Sequence, residues 1–218
     1  DGTPLTALTG HNASVLAVAC TEIDGRPIAI TGASDGTVRM WDLTDRTQLT
    51  TLTGHSNLVQ AVACTEIDGR PIAITGGFDH TLRVWDLTDG TLRASLSGYT
   101  GTVTAVACTE IDGRPIAITG GSDETRVWDL TDGTPLTTLI GHTGQVLAVA
   151  CTEIDGRPIA ITGGSDDMVR VWDLISGVNE ALFRQNGLGA VAIGPSAEVV
   201  TCMGWDVAVN HRIERHVT

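Results

Sequence analysis

The string CTEIDGRPIAITG occurs four times without change, beginning at Cys20, Cys64, Cys108 and Cys151. Successive copies begin 44, 44 and 43 residues apart. An internal period of this length indicates a repeat protein, in which each unit buries its apolar face against its neighbours. The chain has 218 residues and therefore has room for about five such units.

Short apolar runs separated by turn residues make up each unit. In the second unit these runs are residues 59–64, 71–75, 81–86 and 92–96. Asp-Gly and Gly-Gly pairs lie between them, and such pairs mark tight turns. No segment has a helical period long enough to compete. The pattern predicts an all-β chain built from four-stranded antiparallel sheets.

A Trp-Asp pair ends the third predicted strand of four units. The pairs are Trp41-Asp42, Trp85-Asp86, Trp128-Asp129 and Trp172-Asp173. Each follows a Gly-His or Gly-Tyr pair by about thirty residues, so the chain resembles the WD-repeat β-propeller family. The resemblance covers residues 1 to about 182 most closely. It implies a propeller whose blades are four-stranded antiparallel sheets.

We expect one propeller domain over residues 1–218. Its repeats are predicted at 11–53, 55–97, 99–140 and 142–182, with a degenerate unit at 188–214 plus 1–8. The opening residues DGTPLTALTGH match residues 132–142 at nine of eleven positions. The N-terminal strand is therefore expected to complete the last blade, which favours five blades closed without an open edge. The alternative is a piece of a longer array, since propellers of this family most often have seven blades.

The resemblance also implies a hydrogen-bonded structural tetrad of His, Thr, Asp and Trp in each blade. By position the complete sets are His11, Thr31, Asp35 and Trp41; His55, Thr75, Asp79 and Trp85; and His142, Thr162, Asp166 and Trp172. In the third repeat Tyr99 replaces the His, beside Thr119, Asp123 and Trp128. In the last unit Arg184 stands in its place, and Trp205-Asp206 falls at a turn. These sets account for stability rather than activity.

Composition narrows the function classes. The chain has 13 basic residues, all of them Arg, and 26 acidic residues, for a net charge of -13. An acidic surface of this kind repels phosphate backbones, so we expect no nucleic-acid partner. No run of 18 apolar residues is present, so no membrane partner is expected.

Four of the five cysteines recur at one repeat position, which indicates buried thiols and a reducing, cytoplasmic location. Arg without Lys, with abundant Ala and Gly, suggests a bacterial genome rich in GC.

No motif points to catalysis. A nucleophile elbow, a phosphate loop and a His-Glu metal motif are all missing from the sequence. The three tetrad histidines recur once per repeat, which favours a structural role over metal binding. The acidic TEIDGR turns lack the alternating oxygen ligands of calcium loops, and each carries an Arg, so we interpret them as solvated turns. We therefore expect no catalytic residue, no metal and no cofactor.

Recognition of a protein or peptide is the function class that remains. In propellers of the family, the loops after the first and third strands open on one face and the other loops on the opposite face. Because TEIDGRP is identical in four copies, the opposite face is where the repeats differ. The candidate partner-binding residues there are Leu58, Gln60, Phe78, His80, Tyr99 and Met168. Neutral drift at exposed loops is the alternative explanation of these differences.

The leading hypothesis is a non-catalytic interaction scaffold that belongs to a larger bacterial signalling or regulatory protein. A lectin-like or small-ligand sensor that uses the central channel is a second hypothesis, weakened by the scarcity of aromatic residues. A structural or engineered repeat assembly is a third. A monomer is favoured, and oligomers formed by exchange of blades between chains are the alternative.

Overall fold

A computed structural model describes residues 3, 5–122, 124–185, 187–193, 198–203 and 206–212. The regular elements within these residues are all strands. In chain order they are β1 Val15–Ile23, β2 Arg26–Ala33, β3 Val38–Asp42, β4 Thr47–Leu52, β5 Val59–Ile67, β6 Arg70–Gly77, β7 Leu82–Asp86, β8 Thr91–Leu96, β9 Val103–Ile111, β10 Arg114–Gly121, β11 Thr125–Asp129, β12 Pro135–Leu139, β13 Val146–Ile154, β14 Arg157–Gly164, β15 Met168–Asp173, β16 Asn179–Arg184, β17 Leu188–Ile193, β18 Glu198–Met203 and β19 Asp206–Arg212.

These strands form five antiparallel sheets, each made of strands consecutive in the chain. Four sheets have four strands, namely β1 to β4, β5 to β8, β9 to β12 and β13 to β16. Within the described residues the fifth sheet has three strands, β17 to β19. The prediction of an all-β chain with four-stranded antiparallel blades is confirmed.

The first hairpin of each repeat is tighter than the sequence suggested. β5 and β6 pair as far as Ile67 and Arg70, so that only Asp68 and Gly69 form the turn. The prediction ended the first strand at Cys64 and placed TEIDGRP in a loop. Asp68 and Gly69 have φ of 52° and 71°. A two-residue turn of this type requires left-handed backbone at both positions, and Asp-Gly supplies it. The strands therefore continue through Thr-Glu-Ile on one side and Arg-Pro on the other.

The N-terminal strand that was expected to complete the last blade is not found in the described residues. Residues 5–14 belong to no strand, and the side chain of Leu5 is exposed. A strand persists only where its backbone forms a hydrogen-bonded ladder with a neighbour, and these residues are part of none of the described ladders. Closure of a five-bladed propeller by this segment stays a prediction. Trp205, whose place at a turn was also predicted, lies outside the described residues.

The structure divides into two compact units, Asp1–Val103 and Thr104–Thr218. In the first unit, the sheet of β1 to β4 packs face to face on the sheet of β5 to β8. Its branched side chains Ile28, Ile30 and Leu52 are buried with Ala73 and Trp85 in one apolar cluster. Ile28 and Ile30 are two residues apart in β2 and therefore lie on the same face of the sheet.

The second unit repeats this packing twice. Ile116, Ile118 and Leu139 are buried with Ala160 and Trp172, which joins the sheet of β9 to β12 to the sheet of β13 to β16. A further cluster, formed by Ile159, Ile161, Val169, Val171 and Val199, joins that sheet to β18. Within each unit, the earlier sheet of each packed pair thus offers bulky branched residues to the sheet that follows it. In the part of the chain that is described, no helix is long and apolar enough to cross a membrane.

Candidate functional site

A group of four hydrogen-bonded side chains in the second sheet connects the loop before β5 to the sheet core. Trp85 Nε1 donates to Thr75 Oγ1 at 2.8 Å. The same hydroxyl lies 2.8 Å from His55 Nε2, and His55 Nδ1 lies 2.8 Å from Asp79 Oδ2. Trp85 and Thr75 are buried. Each polar atom that is withdrawn from water in this group therefore has a protein partner, as buried polar atoms require.

The structure brings together the corresponding residues of the first and fourth repeats in the same way. The Thr hydroxyl lies 2.7 or 2.8 Å from His Nε2 and 2.8 Å from Trp Nε1, and the closest Asp oxygen is 2.9 to 3.1 Å from His Nδ1. The residues are His11, Thr31, Asp35 and Trp41 in the first sheet and His142, Thr162, Asp166 and Trp172 in the fourth. Each group ties a loop to two strands of its own sheet.

Protonation sets the direction of each hydrogen bond. Burial lowers the pKa of His55 and of His142 below the ordinary value of 6.5, although Asp79 and Asp166 act in the opposite direction. Burial also opposes ionisation of Asp79 and Asp166, but hydrogen bonds to the carboxylates outweigh it and their pKa values are lowered. The imidazoles are therefore neutral at pH 7 and the carboxylates ionised. Nδ1 donates to the carboxylate, and Nε2 accepts from the threonine.

In the third repeat the contact between Trp and Thr is present, with a different distance. Trp128 Nε1 donates to Thr119 Oγ1 at 3.2 Å, a longer contact than in the other three sheets. Tyr99, which replaces the histidine, is only 8% exposed. Asp123 lies outside the described residues. The Tyr99 side chain is therefore packed into the protein rather than presented to solvent.

An ion pair that recurs in all four repeats was not predicted from the sequence. In the second repeat Arg70 Nε lies 2.9 Å from Asp86 Oδ2, and the Asp86 side chain is 3% exposed against 47% for Arg70. Asp86 Oδ1 also accepts the backbone N–H of Thr88 at 3.0 Å. The equivalent pairs are Arg26 with Asp42, Arg114 with Asp129, and Arg157 with Asp173. The one sequence feature that relates to this ion pair is that each repeat with a Trp-Asp pair also has an Arg in its TEIDGRP string.

These ion pairs revise the interpretation of the TEIDGRP turns. The turns are exposed, but their Arg side chains reach back to a buried carboxylate, so the segment is structural as well as solvated. Because the contact recurs in every repeat, it does not distinguish one repeat from another.

The turn after the second strand of a sheet has a common backbone in three repeats. The N–H of its second residue donates to the carbonyl just before the first strand, at 2.8 to 3.0 Å. The donor and acceptor residues are Ser34 and Ser14, Phe78 and Leu58, and Ser165 and Gln145. Only the second repeat has an aromatic side chain here, and Phe78 is 40% exposed. The backbone of this turn does not require that aromatic ring.

Leu58 and His80 adjoin Phe78 in the same unit. Leu58 is partly buried and supplies the carbonyl that binds Phe78 N–H, at 3.0 Å. His80 is exposed and has a left-handed backbone, with φ of 62°. We call Leu58, Phe78 and His80 the Phe78 surface.

The other three candidate residues are not all presented as the sequence suggested. Gln60 is partly buried and lies at a β-bulge in β5. Met168 is partly buried at the start of β15, in the second unit. Tyr99 was expected to be exposed, and its burial contradicts that expectation. Of the six candidates, Phe78 and His80 are the two that are well exposed.

The repeat cysteines are less buried than expected, since Cys64, Cys108 and Cys151 are only partly buried. Burial raises the pKa of the Cys64 and Cys151 thiols to about 12, and both pack against apolar clusters. Cys20 is exposed, although all four repeat cysteines were expected to be buried. Within the described residues, no three His, Cys, Asp or Glu side chains are grouped as metal ligands would be.

Comparison with known families agrees with this geometry. The family model described as WD domain, G-beta repeat matches residues 2–42, 46–86 and 133–173. Each matched range ends at the Asp of a Trp-Asp pair, the residue held by the recurring Arg. Residues 87–132, which contain Tyr99 and the Trp128-Asp129 pair, lie outside the matched ranges. No curated protein matches the chain. Because the matched ranges cover more than half of the chain, the chain belongs to the WD domain, G-beta repeat family.

Proposed function

We propose that this chain is a non-catalytic recognition module that binds a protein or peptide partner through the Phe78 surface. Repeats of the family typically mediate contacts between proteins and carry no catalysis of their own. The observation that carries the proposal is the exposed Phe78 at a turn position where the first and fourth repeats have Ser34 and Ser165.

The fold gives no reason for an aromatic residue at position 78. The three turns make the same backbone hydrogen bond whether the side chain is Ser or Phe. The chain is poor in aromatic residues, with two Phe and one Tyr, and four of its five Trp serve the buried tetrad position. Exposed aromatic side chains are enriched at the centres of protein interfaces, where they bury a large rigid surface.

His80 adds a second argument from backbone energetics. A left-handed backbone is more costly for His than for Gly, which occupies the same position in the first repeat as Gly36. The backbone of the turn therefore does not select His at this position, and its exposed side chain is available for binding.

The experiment starts from peptides selected on the immobilised chain from a random peptide library. Affinities of the selected peptides are then measured for the wild type and for Phe78→Ser, which restores the residue of the other repeats. We expect Phe78→Ser to weaken binding by about tenfold or more, since a buried aromatic anchor contributes well over 1 kcal/mol.

Leu136→Ala is the matched control. Leu136 is an exposed apolar residue within the strand β12 and is not part of a turn that differs between repeats. The Leu136→Ala substitution should leave the affinity for the selected peptides unchanged. Both variants should melt at the same temperature as the wild type. Equal affinity of the wild type and Phe78→Ser for every selected peptide would show that the Phe78 surface is not the binding site.

A further inference from the structure

The third strand of each four-stranded sheet has an Arg two residues before its Trp. In three sheets the guanidinium of this Arg faces a side-chain oxygen of the same repeat. These pairs are Arg39 with Gln48, Arg126 with Glu124 and Arg170 with Asp166. The second sheet is the exception, because within the described residues Arg83 has no ion pair and donates no hydrogen bond.

Packing holds the Arg83 guanidinium against the loop before β5. A Cβ added to Gly54 would collide with Arg83 Nη1 and would lie 3.2 Å from Cη2 of Trp85. Gly54 is exposed, and Arg83 is partly buried. The guanidinium therefore lies at the border between the sheet and the solvent. An N–H group that is withdrawn from water without an acceptor is costly, so this position favours an acceptor supplied by a ligand.

The first sheet shows what fills the corresponding position there. The side-chain amide of Gln48 accepts from Arg39 Nη1 and donates to Thr51 Oγ1 at 2.9 Å. Gln48 therefore bridges an Arg of the third strand and a hydroxyl of the fourth. The Nε atoms of Arg39 and Arg83 are both buried without an acceptor in the described part of the chain. The difference between the two repeats thus lies in the terminal nitrogens.

The second sheet keeps both ends of this bridge and lacks the bridging amide. By strand register, Ser95 lies opposite Arg83, at the position of Thr51. Leu92 stands at the position of Gln48 and has no polar side-chain atom. Ser95 and Leu92 are both exposed, and among the described residues the Ser95 hydroxyl has no hydrogen-bond partner. We call Arg83, Leu92 and Ser95 the Arg83 site.

We propose that the partner of the Phe78 surface presents an acidic side chain whose carboxylate binds the Arg83 site. This inference rests on the proposed function and names the chemistry of the partner. A carboxylate accepts from a guanidinium and from a hydroxyl at the same time, and charge-assisted hydrogen bonds are stronger than neutral ones. Leu92 offers an apolar contact to the methylene groups of the same ligand side chain.

The Arg83 site and the Phe78 surface share the loop before β5. Gly54, against which the guanidinium packs, is four residues before Leu58, whose carbonyl accepts the N–H of Phe78 at 3.0 Å. Four residues span at most about 14 Å. An extended peptide advances about 3.3 Å per residue, so a ligand of about five residues covers both places.

The net charge of -13 opposes the approach of an acidic ligand but does not decide its contact. At physiological ionic strength, charges more than about 8 Å away are largely screened. The nearby tetrad carboxylate of Asp79 is 3% exposed and is bound by His55. Burial is the main cause that lowers the pKa of His55, and the positive charge of Arg83 adds to it. The charge of Arg83 therefore acts on its surroundings without a carboxylate beside it.

Leu92→Gln is the test, because it gives the second repeat the bridging amide of the first. The ligands are peptides selected on the immobilised wild-type chain from a random library, and we expect them to share an Asp or Glu. Leu92→Gln should weaken their binding by about tenfold, since the new amide occupies the guanidinium and a charge-assisted hydrogen bond is lost. Changing the acidic residue of the peptide to its amide should weaken binding to the wild type equally and have no further effect on Leu92→Gln.

Two further variants complete the experiment. Leu136→Gln makes the same change at an exposed leucine of another sheet and should leave the affinity unchanged. Arg83→Met removes the charge, keeps an unbranched side chain beside Trp85 and should abolish the preference for acidic over amide peptides. The reading from Leu92→Gln does not depend on the folding of Arg83→Met, because it leaves Arg83 in place.

Three results would each overturn the proposal while leaving the Phe78 surface intact. The first is a set of peptides that bind through Phe78 and have no acidic residue in common. The second is equal affinity of the wild type and Leu92→Gln for acidic peptides. The third is a difference between acidic and amide peptides that persists in Leu92→Gln. Peptides whose binding is weakened by Leu92→Gln but not by Phe78→Ser would support the Arg83 site and refute the Phe78 surface.

Discussion

His80 occupies the position in the turn after β6 that Gly36 occupies in the turn after β2, and both have a left-handed backbone, with φ of 62° and 76°. Asp167 has the same conformation in the fourth repeat, with φ of 58°. Three different residues therefore adopt one backbone geometry, which is set by the hydrogen bonds around it and not by the residue itself. The side chain at this position is free to vary with function.

His80→Gly should separate binding from stability. Gly relieves the left-handed conformation but adds freedom to the unfolded chain, so the free energy of unfolding should change by no more than about 1 kcal/mol. Peptides selected for the Phe78 surface should bind more weakly. Urea denaturation and a binding titration measure the two quantities. Unchanged affinity would remove His80 from the surface.

Thr75→Val should be one of the most damaging single substitutions in the chain. It keeps the shape of the side chain but leaves the indole N–H of Trp85 and the Nε2 of His55 without their partner. Each buried polar atom left without a hydrogen bond costs about 1–3 kcal/mol, so a loss of about 2–4 kcal/mol is expected in urea denaturation.

Thr91→Val is the control for this hydroxyl. Thr91 is exposed, and its Oγ1 donates to Asp89 Oδ1 at 2.7 Å. Because solvent can replace that bond, the loss should stay below about 1 kcal/mol. Equal losses for the two variants would mean that the tetrad contributes no more than a surface contact.

A double-mutant cycle on Arg70 and Asp86 should reveal a modest coupling energy. Asp86 is buried, but Arg70 is about half exposed, so solvent screens their attraction. We expect a coupling of about 1 kcal/mol or less, with Asp86→Ala costing more than Arg70→Ala because Asp86 also accepts the N–H of Thr88. A coupling above about 3 kcal/mol would indicate a pair that solvent does not screen.

Mild acid should destabilise the chain through its buried histidines. The pKa of His55 and of His142 is below 6.5 in the folded chain, so the unfolded chain binds protons first as the pH falls. The stability present at pH 7 should therefore decline as the pH falls from 7 to about 5.5.

Melting temperature against pH checks this sign, with His55→Gln as the comparison. The variant should start from a lower melting temperature and lose less on acidification, because one of the histidines with a lowered pKa is gone. A melting temperature that rises between pH 7 and 5.5 would contradict the assignment of neutral imidazoles.

Much of the fold could be predicted because one sequence signal repeats. The period, the Asp-Gly turns and the Trp-Asp pairs placed the sheets, and the family resemblance placed His55, Thr75 and Trp85 within contact of each other. The Arg70 contact could not be predicted in the same way, because the hairpin first has to turn at Asp68-Gly69 before the guanidinium reaches Asp86.

The candidate surface was predicted less well than the fold. Phe78 and Tyr99 were both expected to be exposed because both interrupt a repeat pattern, but Phe78 replaces a turn residue and Tyr99 replaces a core residue. The Arg83 site had no signal in the repeat motif itself, since the Arg recurs at one repeat position. Whether such an Arg has a partner depends on the strand beside it and not on its own position.

The carboxylate of Asp79 holds the turn that carries Phe78 and His80 from several sides. It lies 2.8 Å from His55 Nδ1, accepts the N–H of Ser56 at 3.1 Å and accepts the hydroxyl of Thr81 at 2.9 Å. A turn restrained in this way has little conformational entropy left to lose when a ligand binds. The tetrad, which contacts no ligand in this proposal, would still raise affinity by keeping the Phe78 ring in its binding position before the partner arrives.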